Sequence, residues 1–290
     1  MIAIAGGTGT LGTRLVPLLV GQGHAVRVLT RDIARARQLA VNGIEVVQSD
    51  VRDPASLDHA LRGVGTVISA VSGFAGPRTS PASVDQAGNA NLIGAAARAS
   101  AAFILMSVVG ASPSHPIGLF RAKHAAEVTL RGSGIPWTIV RATAFMETWA
   151  TVMGRTLQAT GKIIVFGRGD NPVNFVSVTD VAALVVRAAS DSAVHGQAIN
   201  IGGPENLTLN QVAGLVHEFT GRRAAVWHIP RPALRLLASL AVVRPVLARQ
   251  ARAALVMDTI DMSFDPAPAR LAFPDVPETD MATALQELLA

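Results

Sequence analysis

Ile2-Ala3-Ile4-Ala5-Gly6-Gly7-Thr8-Gly9-Thr10-Leu11-Gly12 opens the chain, and the fold turns on how it is read. Four apolar residues make a buried strand. The glycines behind them permit a turn whose backbone can approach a pyrophosphate closely. Arg14 through Val20 continue as an apolar helix, whose first N–H groups lack intrahelical acceptors and point at an anion. Gly21 and Gly23 end that helix, and Ala25-Val26-Arg27-Val28-Leu29 is a second buried strand. Glycines also cluster in turns for conformational reasons alone. The motif takes its weight from the strand–turn–helix–strand order around it. Gly6, Thr8, Gly9, Thr10, Leu11 and Gly12 are therefore candidate dinucleotide-binding residues.

The end of the second strand bears on which dinucleotide. An acid there accepts hydrogen bonds from the ribose 2′-OH of NAD, whereas an arginine suits the extra 2′-phosphate. This chain has Thr30-Arg31-Asp32. Arg31 favours NADP(H), and Arg14, Arg35 and Arg37 add positive charge nearby. Asp32 has two readings: it caps the following helix, Ile33 to Ala40, or it turns inward and favours NAD.

Outward from this unit, strand and helix signals alternate with short breaks, the pattern of βαβ units in a parallel sheet. Strands are expected at Ile44–Val47, Thr66–Val71, Phe103–Ser107 and Trp137–Val140. The helices between them are expected at Pro54–Leu61, Asp85–Ala99 and Leu119–Leu130. Beyond Arg141 the alternation loosens into a helix from Met146 to Leu157 and strands at Ile163–Phe166, Asn174–Val178 and Ala198–Ile201, with a mainly helical remainder. The expected architecture is an α/β Rossmann-like, doubly wound parallel sheet carrying a smaller, mainly helical C-terminal lobe. Its divisions would be a dinucleotide domain over residues 1–148 and a substrate lobe over 149–290, some of whose segments return to the sheet.

Composition narrows the classes. The 290 residues are 50% apolar and contain no cysteine, which excludes disulfides and thiolate metal sites, and no metal centre is expected. The first residues already form a strand, leaving no room for a signal peptide, so a cytoplasmic protein is expected. The apolar stretch Ala233–Leu255 is broken by Arg235, Arg244, Pro245, Arg249 and Arg252, so no membrane partner is expected. The net charge of +5 comes from scattered residues with no aromatic-interleaved cluster, so nucleic acid is not expected either. Of the 25 basic residues only Lys123 and Lys162 are lysines, which draws attention to each.

Taken in order, these stretches resemble the extended and atypical short-chain dehydrogenase/reductases, in particular the NmrA-like branch. The matching segments are the Gly6–Gly12 turn, Leu29-Thr30-Arg31, Ser49-Asp50-Val51 and Asn91-Leu92-Ile93 with Ala95-Ala96. They continue through Ser107-Val108-Val109-Gly110, Lys123 to Glu127, Pro136 to Arg141, and Ile201 to Glu205. The resemblance implies that Asp50 and Val51 contact adenine and that Ala70 and Val71 pass the adenosine ribose and pyrophosphate. It places Thr143 to Phe145 near nicotinamide. The family's usual catalytic set is serine, tyrosine and lysine. Ser107 and Lys123 match two of these, but the tyrosine position is Leu119 and the chain has no tyrosine anywhere.

Hydride chemistry belongs to the cofactor, and the protein must orient it and deal with the charge that develops. Lys123 could hold the nicotinamide ribose and place a positive charge at the site. Ser107 either hydrogen-bonds a substrate oxygen or satisfies local backbone. His115 and His124 read as loop or surface histidines, His59 as solvated, Asp180 as a helix cap, and Met146, Trp149 and Met153 as core or pocket lining. Without a phenolic acid, suitable substrates carry their own electron sink: quinones, conjugated enones, cationic dyes and iminium groups. The sequence expectation is an NADPH-dependent reductase of a small conjugated or quinone-like molecule. The alternative is a non-catalytic NAD(P)H-sensing regulator of NmrA type. A homodimer through the helices around 85–99 and 119–130 is compatible with the sequence.

Overall fold

Short apolar runs become strands because they are buried on both faces, as the helix-covered sheet of βαβ units requires. In the computed structural model, which describes residues 1–36, 39, 44–220 and 225–289, β1 (Ile2–Ala5) is buried at all four positions. It leads to α1 (Gly12–Gly21), β2 (Val26–Thr30), α2 (Ile33–Ala36), β3 (Glu45–Gln48), α3 (Pro54–Ala60) and β4 (Thr66–Ser69). A π-helical turn, Pro81–Gln86, runs into α4 (Ala87–Arg98), followed by β5 (Ala102–Val108), α5 (Gly118–Arg131) and β6 (Trp137–Ala142).

These strands join β10 (Gln197–Ile201) in a seven-stranded sheet of order β10-β6-β5-β4-β1-β2-β3. The pairings β1–β2, β2–β3, β1–β4, β4–β5 and β5–β6 are all parallel. Chain order reverses between β1 and β4, so connections diverge there and leave a crevice at the strands' carboxyl ends, the place where such sheets bind ligands. On one face Leu57, Leu92, Ile93, Ala96, Ala126 and Leu130 pack against Ala3, Val67, Phe103, Leu105 and Ile139. The alanines let the helices approach the sheet closely.

Chain contacts divide the molecule into two units: Met1–Ala142 with Val181–Asn200, and Thr143–Asp180 with Ile201–Ala290. Within the second, β7 (Ala144–Phe145) precedes α6 (Met146–Thr160), β8 (Lys162–Phe166) and β9 (Val173–Val176), and α7 (Val178–Ser190) leaves it for the first unit. After β10 come β11 (Asn206–Leu207), α8 (Leu209–Thr220), β12 (Ala225–Ile229), α9 (Arg231–Ser239), α10 (Pro245–Met257), α11 (Ala267–Ala272) and α12 (Met281–Leu289). Met146 and Met153 are core, beside Ile163, Phe175, Val212 and Met281. Trp149 meets Phe166 and Phe175 edge-on at 6.3 Å.

Several expected boundaries shift. β4 stops at Ser69, so Ala70 and Val71 lie beyond the strand. The expected helix Asp85–Ala99 begins as π-helix, with Asp85 inside that turn. The helical remainder also contains two strands, β12 paired in parallel with β8 and β11 paired antiparallel with β9. Of the expected helix Ile33–Ala40, α2 covers Ile33–Ala36; Arg37 lies outside the described residues.

Candidate active site

The turn after β1 is shaped by steric exclusion. Gly6 has φ +92°, and a Cβ there would sit 2.6 Å from the Ala70 carbonyl oxygen. At Gly12, which begins α1, a Cβ would come within 2.4 Å of both the Gly6 oxygen and the Gly7 Cα. Inside the turn Gly9 N–H donates to Gly6 O, and Thr13 N–H donates to Gly9 O. Among the described residues no backbone acceptor meets the N–H groups of Thr10, Leu11 and Gly12. Leu11 at the N-cap supplies no side-chain cap, and the first turn of α1 has no acid. Three free donors at a helix N-terminus, with no competing carboxylate, suit a diphosphate.

Around this turn, Arg31 is exposed directly after β2. Asp32 resolves its two readings in favour of the cap, because its Oδ1 accepts the Arg35 N–H at 3.2 Å. Asp50, the expected adenine contact, pairs with the arginine two residues on. Arg52 grips its carboxylate with Nε at 3.0 Å from Oδ1 and Nη2 at 2.5 Å from Oδ2. Those hydrogen bonds hold the Asp50 pKa below the ordinary carboxylate value against the opposing pull of burial, with a further contribution from the charge of Arg31. Val51 is half-buried, with its carbonyl accepting from Asn91. Ala70 N–H donates to Ala5 O at 2.8 Å, which seats the segment after β4 beside the glycine turn.

Lys123, on α5, is buried, and its Nζ donates to the Val71 carbonyl at 3.0 Å. The Asp85 carboxylate lies 3.0 Å away through Oδ1, a close ion contact that is not aligned as a hydrogen bond, so Oδ1 has no hydrogen-bond donor. Asp85 Oδ2 accepts the Gly73 N–H at 2.8 Å. One fully buried carboxylate thus fixes both the ammonium and the loop after β4. Sequence reasoning missed Asp85 because an acid opening a helix reads as an ordinary cap. The signal available was its place on a helix that must face the sheet.

Ser107 and Lys123 stand at different tasks. The Ser107 hydroxyl donates to Glu127 Oε1 at 2.6 Å. Glu127 also accepts from Arg141 Nε at 2.8 Å and from Arg131 at 3.2 Å, with a second Arg141 contact through Nη2. Burial pulls the Glu127 pKa upward, but hydrogen bonds from Arg141 and Ser107 and the two arginine charges outweigh it, so the value falls. Ser107 keeps its lone pairs for an incoming donor, while its proton is committed to Glu127. Leu119 occupies the first turn of α5, four residues before Lys123 and half-exposed.

His115 stacks on Phe120 at 4.0 Å and accepts the Ile117 N–H through Nδ1. His124 Nδ1 is buried with no protein partner. Asp180 is a tether as well as a helix-start acid: it accepts from Thr279 N–H and Oγ1 and from Arg270. In the second unit, Thr143 N–H donates to Ile201 O and its hydroxyl bonds Asn174 Oδ1 at 2.9 Å, while Phe145 pairs with Val176.

The sheet order, the glycine turn and the lysine of α5 define a Rossmann-like protein of the atypical short-chain dehydrogenase/reductase class. More narrowly, the chain belongs to the NmrA-like family, whose model matches residues 1–263. It is 30% identical over 223 residues to an NAD(P)H azoreductase of Xenophilus azovorans, spanning 77% of this chain and 74% of that protein. It is 27% identical over 240 residues to the photosystem II assembly factor Ycf39 of a Synechocystis strain, spanning 82% of this chain and 73% of that one. The crystal structure of the NADPH-dependent quinone oxidoreductase QOR2 of Escherichia coli with NADPH superposes with a TM-score of 0.81 at 25% identity, covering both chains fully.

Proposed function

We propose that this protein is an NADPH-dependent reductase that transfers hydride to a small conjugated acceptor of the quinone or azo-dye kind. The observation carrying the proposal is the Gly6–Gly12 turn, with its uncapped helix terminus and three unengaged N–H donors at the β1–β4 crevice. Relatives that reduce quinones and azo compounds with nicotinamide cofactors support it. Thr10, Leu11 and Gly12 would receive the pyrophosphate, Arg31 the 2′-phosphate, Ala70 and Val71 the adenosine ribose and pyrophosphate, and Lys123 the nicotinamide ribose. Reduced nicotinamide, when bound, supplies the hydride.

The remaining work falls to the chain. Lys123 has three N–H donors; one is held by Val71 O, and Asp85 fixes the direction of the ammonium. Its charge stabilises negative charge developing on the reduced acceptor. With Leu119 in place of a phenol, the acceptor is one whose conjugation receives the electron pair before water delivers the proton. NADPH oxidation followed against a panel of quinones and azo dyes tests this reading. Tight NADPH binding without turnover on any acceptor would refute it.

The missing tyrosine favours a second reading, a sensor whose cofactor state changes its affinity for another protein. Equal partner binding with and without NADPH would remove that reading.

A further inference from the structure

The helical hairpin of α9 and α10 has a surface that cofactor binding and reduction do not use. From Arg231 to Met257 the sequence holds Arg231, Arg235, Arg244, Arg249 and Arg252 and not one aspartate or glutamate. Arg231 is paired with Asp258 just beyond the hairpin, Nε lying 2.5 Å from Oδ2. Arg235, Arg244 and Arg252 are exposed, with Arg252 also donating to the Ala238 carbonyl at 3.1 Å. The helices pack through Leu234, Ala238, Ala251 and Ala254, with Leu237 and Leu255 against them, while Leu236 and those three arginines stay exposed.

What lies outside is aliphatic as well as basic. At the connection, Val242 is 95% exposed and Val243 79%, and Leu240 is exposed beside them. Leu236, one helical turn before Leu240, is 67% exposed. Exposed side chains of this size, contiguous and rimmed by charge, mark a surface that meets something. Trp227 is also exposed, and by strand alternation it shares a face with Ile229, which packs on the hairpin core.

We propose that this hairpin docks the protein on an anionic lipid surface. The Leu240–Val243 tip enters the boundary between headgroups and acyl chains, and Arg235, Arg244 and Arg252 meet lipid phosphates. Arginine stems lie along the apolar layer while their guanidinium groups stay at the phosphates. Two valines left almost fully exposed beside arginines suit a fluid anionic layer, which receives apolar side chains without a preformed pocket. Among the described residues no helix is long and apolar enough to cross a membrane, so the contact is interfacial. The sequence expectation of no membrane partner rested on the lack of a spanning run, a criterion that does not reach a surface-lying hairpin. The proposal stands on this surface alone and is independent of the substrate.

Co-sedimentation of the full chain with phosphatidylcholine vesicles, with and without phosphatidylglycerol, tests it. Binding is expected only where phosphatidylglycerol is present, and it should weaken as salt screens the arginines. The double variant Val242→Asp/Val243→Asp should abolish it, and Arg235→Gln or Arg244→Gln should each lower the partition coefficient about fivefold. An unchanged NADPH affinity and thermal melt show that these exposed variants fold. No binding at low salt, or binding indifferent to the valines, overturns the proposal. So does equal binding to soluble polyglutamate, which would assign the surface to an acidic protein. Dissociation of a dimer by the valine variants without any lipid binding assigns it to a second copy, and also overturns it.

Discussion

Lys123 and Asp85 form a buried ion pair, so removing one partner acts on stability and chemistry together. Lys123→Ala leaves Asp85 buried with only the Gly73 N–H, and an uncompensated buried charge costs about 3–5 kcal/mol. The double variant Asp85→Asn/Lys123→Met removes both charges and should recover part of that loss in urea titrations. On activity the expectation is different. Lys123→Ala should lower kcat about a hundredfold with a smaller effect on NADPH Kd, because its charge matters most where negative charge develops. Asp85→Asn should lower kcat about tenfold as a positioning change, and the double variant should be no slower than Lys123→Ala alone. Strict additivity of the two would mean that Asp85 does not act through Lys123.

Arg31 bears on which nucleotide binds rather than on the hydride transfer. It is exposed and its guanidinium can reach a phosphate monoester without breaking any core contact. Arg31→Ala should weaken NADPH about ten- to a hundredfold and leave NADH nearly unchanged, an effect of about 1.4–2.7 kcal/mol. Equal losses on both nucleotides in calorimetry would remove Arg31 from the 2′-phosphate. The arginine and lysine were legible because their places are set by local order: a strand end, and a lysine four residues after the family's tyrosine position. Asp85 and Arg52 were not, because each acts through a partner distant in the sheet or hidden by local sequence. Asp85 meets a lysine 38 positions on, and Arg52 folds back on the carboxylate two residues before it.

Among the elements, the parallel sheet was readable wherever a strand is buried on both faces. β1 is buried throughout and appears as an apolar run. β12 is the converse. Ala225 to His228 are all exposed, so no pattern of burial distinguishes it from a loop. What makes it a strand is its pairing with β8, about 60 residues away, which local sequence does not report. The glycine turn is a third case, where backbone sterics dictate the residue. Gly12→Ala would force a Cβ into the Gly6 oxygen and Gly7 Cα, both backbone, so nothing flexible can yield. The variant should lose NADPH affinity by at least tenfold and destabilise the fold by about 1–3 kcal/mol. Wild-type affinity in calorimetry would show that the turn does not hold the phosphates.

β5, α5 and β6 are joined by Ser107, Glu127 and Arg141, and this joint titrates. Glu127 has a folded pKa below its unfolded value, which is about 4.3 for a glutamate. Its contribution is therefore complete above that unfolded value and is lost as pH falls through the lower folded one. Urea titrations across that acid range should show wild type losing stability more steeply than Glu127→Gln. A matching slope in both would mean that Glu127 is not the group responsible.

At the scale of the molecule, the chain passes between its two units three times, after Ala142, Asp180 and Asn200. The second passage lies inside α7, a continuous helix from Val178 to Ser190, and the third inside β10. Melting either unit alone would break these elements, taking the first turn from α7 and the last residue from β10 and leaving hydrogen-bonding groups of the helix start uncapped. A single cooperative transition is therefore expected in calorimetry, despite the two cores. The cofactor turn lies wholly in the first unit, which gives the expectation a direct check. NADPH at about a hundred times its Kd adds about 2.7 kcal/mol to the state that binds it. For a chain of this size that is a rise in Tm of roughly 5–10 °C. If the units are coupled through α7 and β10, the whole transition moves together, and burial probes in either core report the same shift. Two transitions, of which only the one reported by Trp137 in the first unit responds to NADPH, would show that the units melt independently and that the shared helix and strand do not bind them into one cooperative fold.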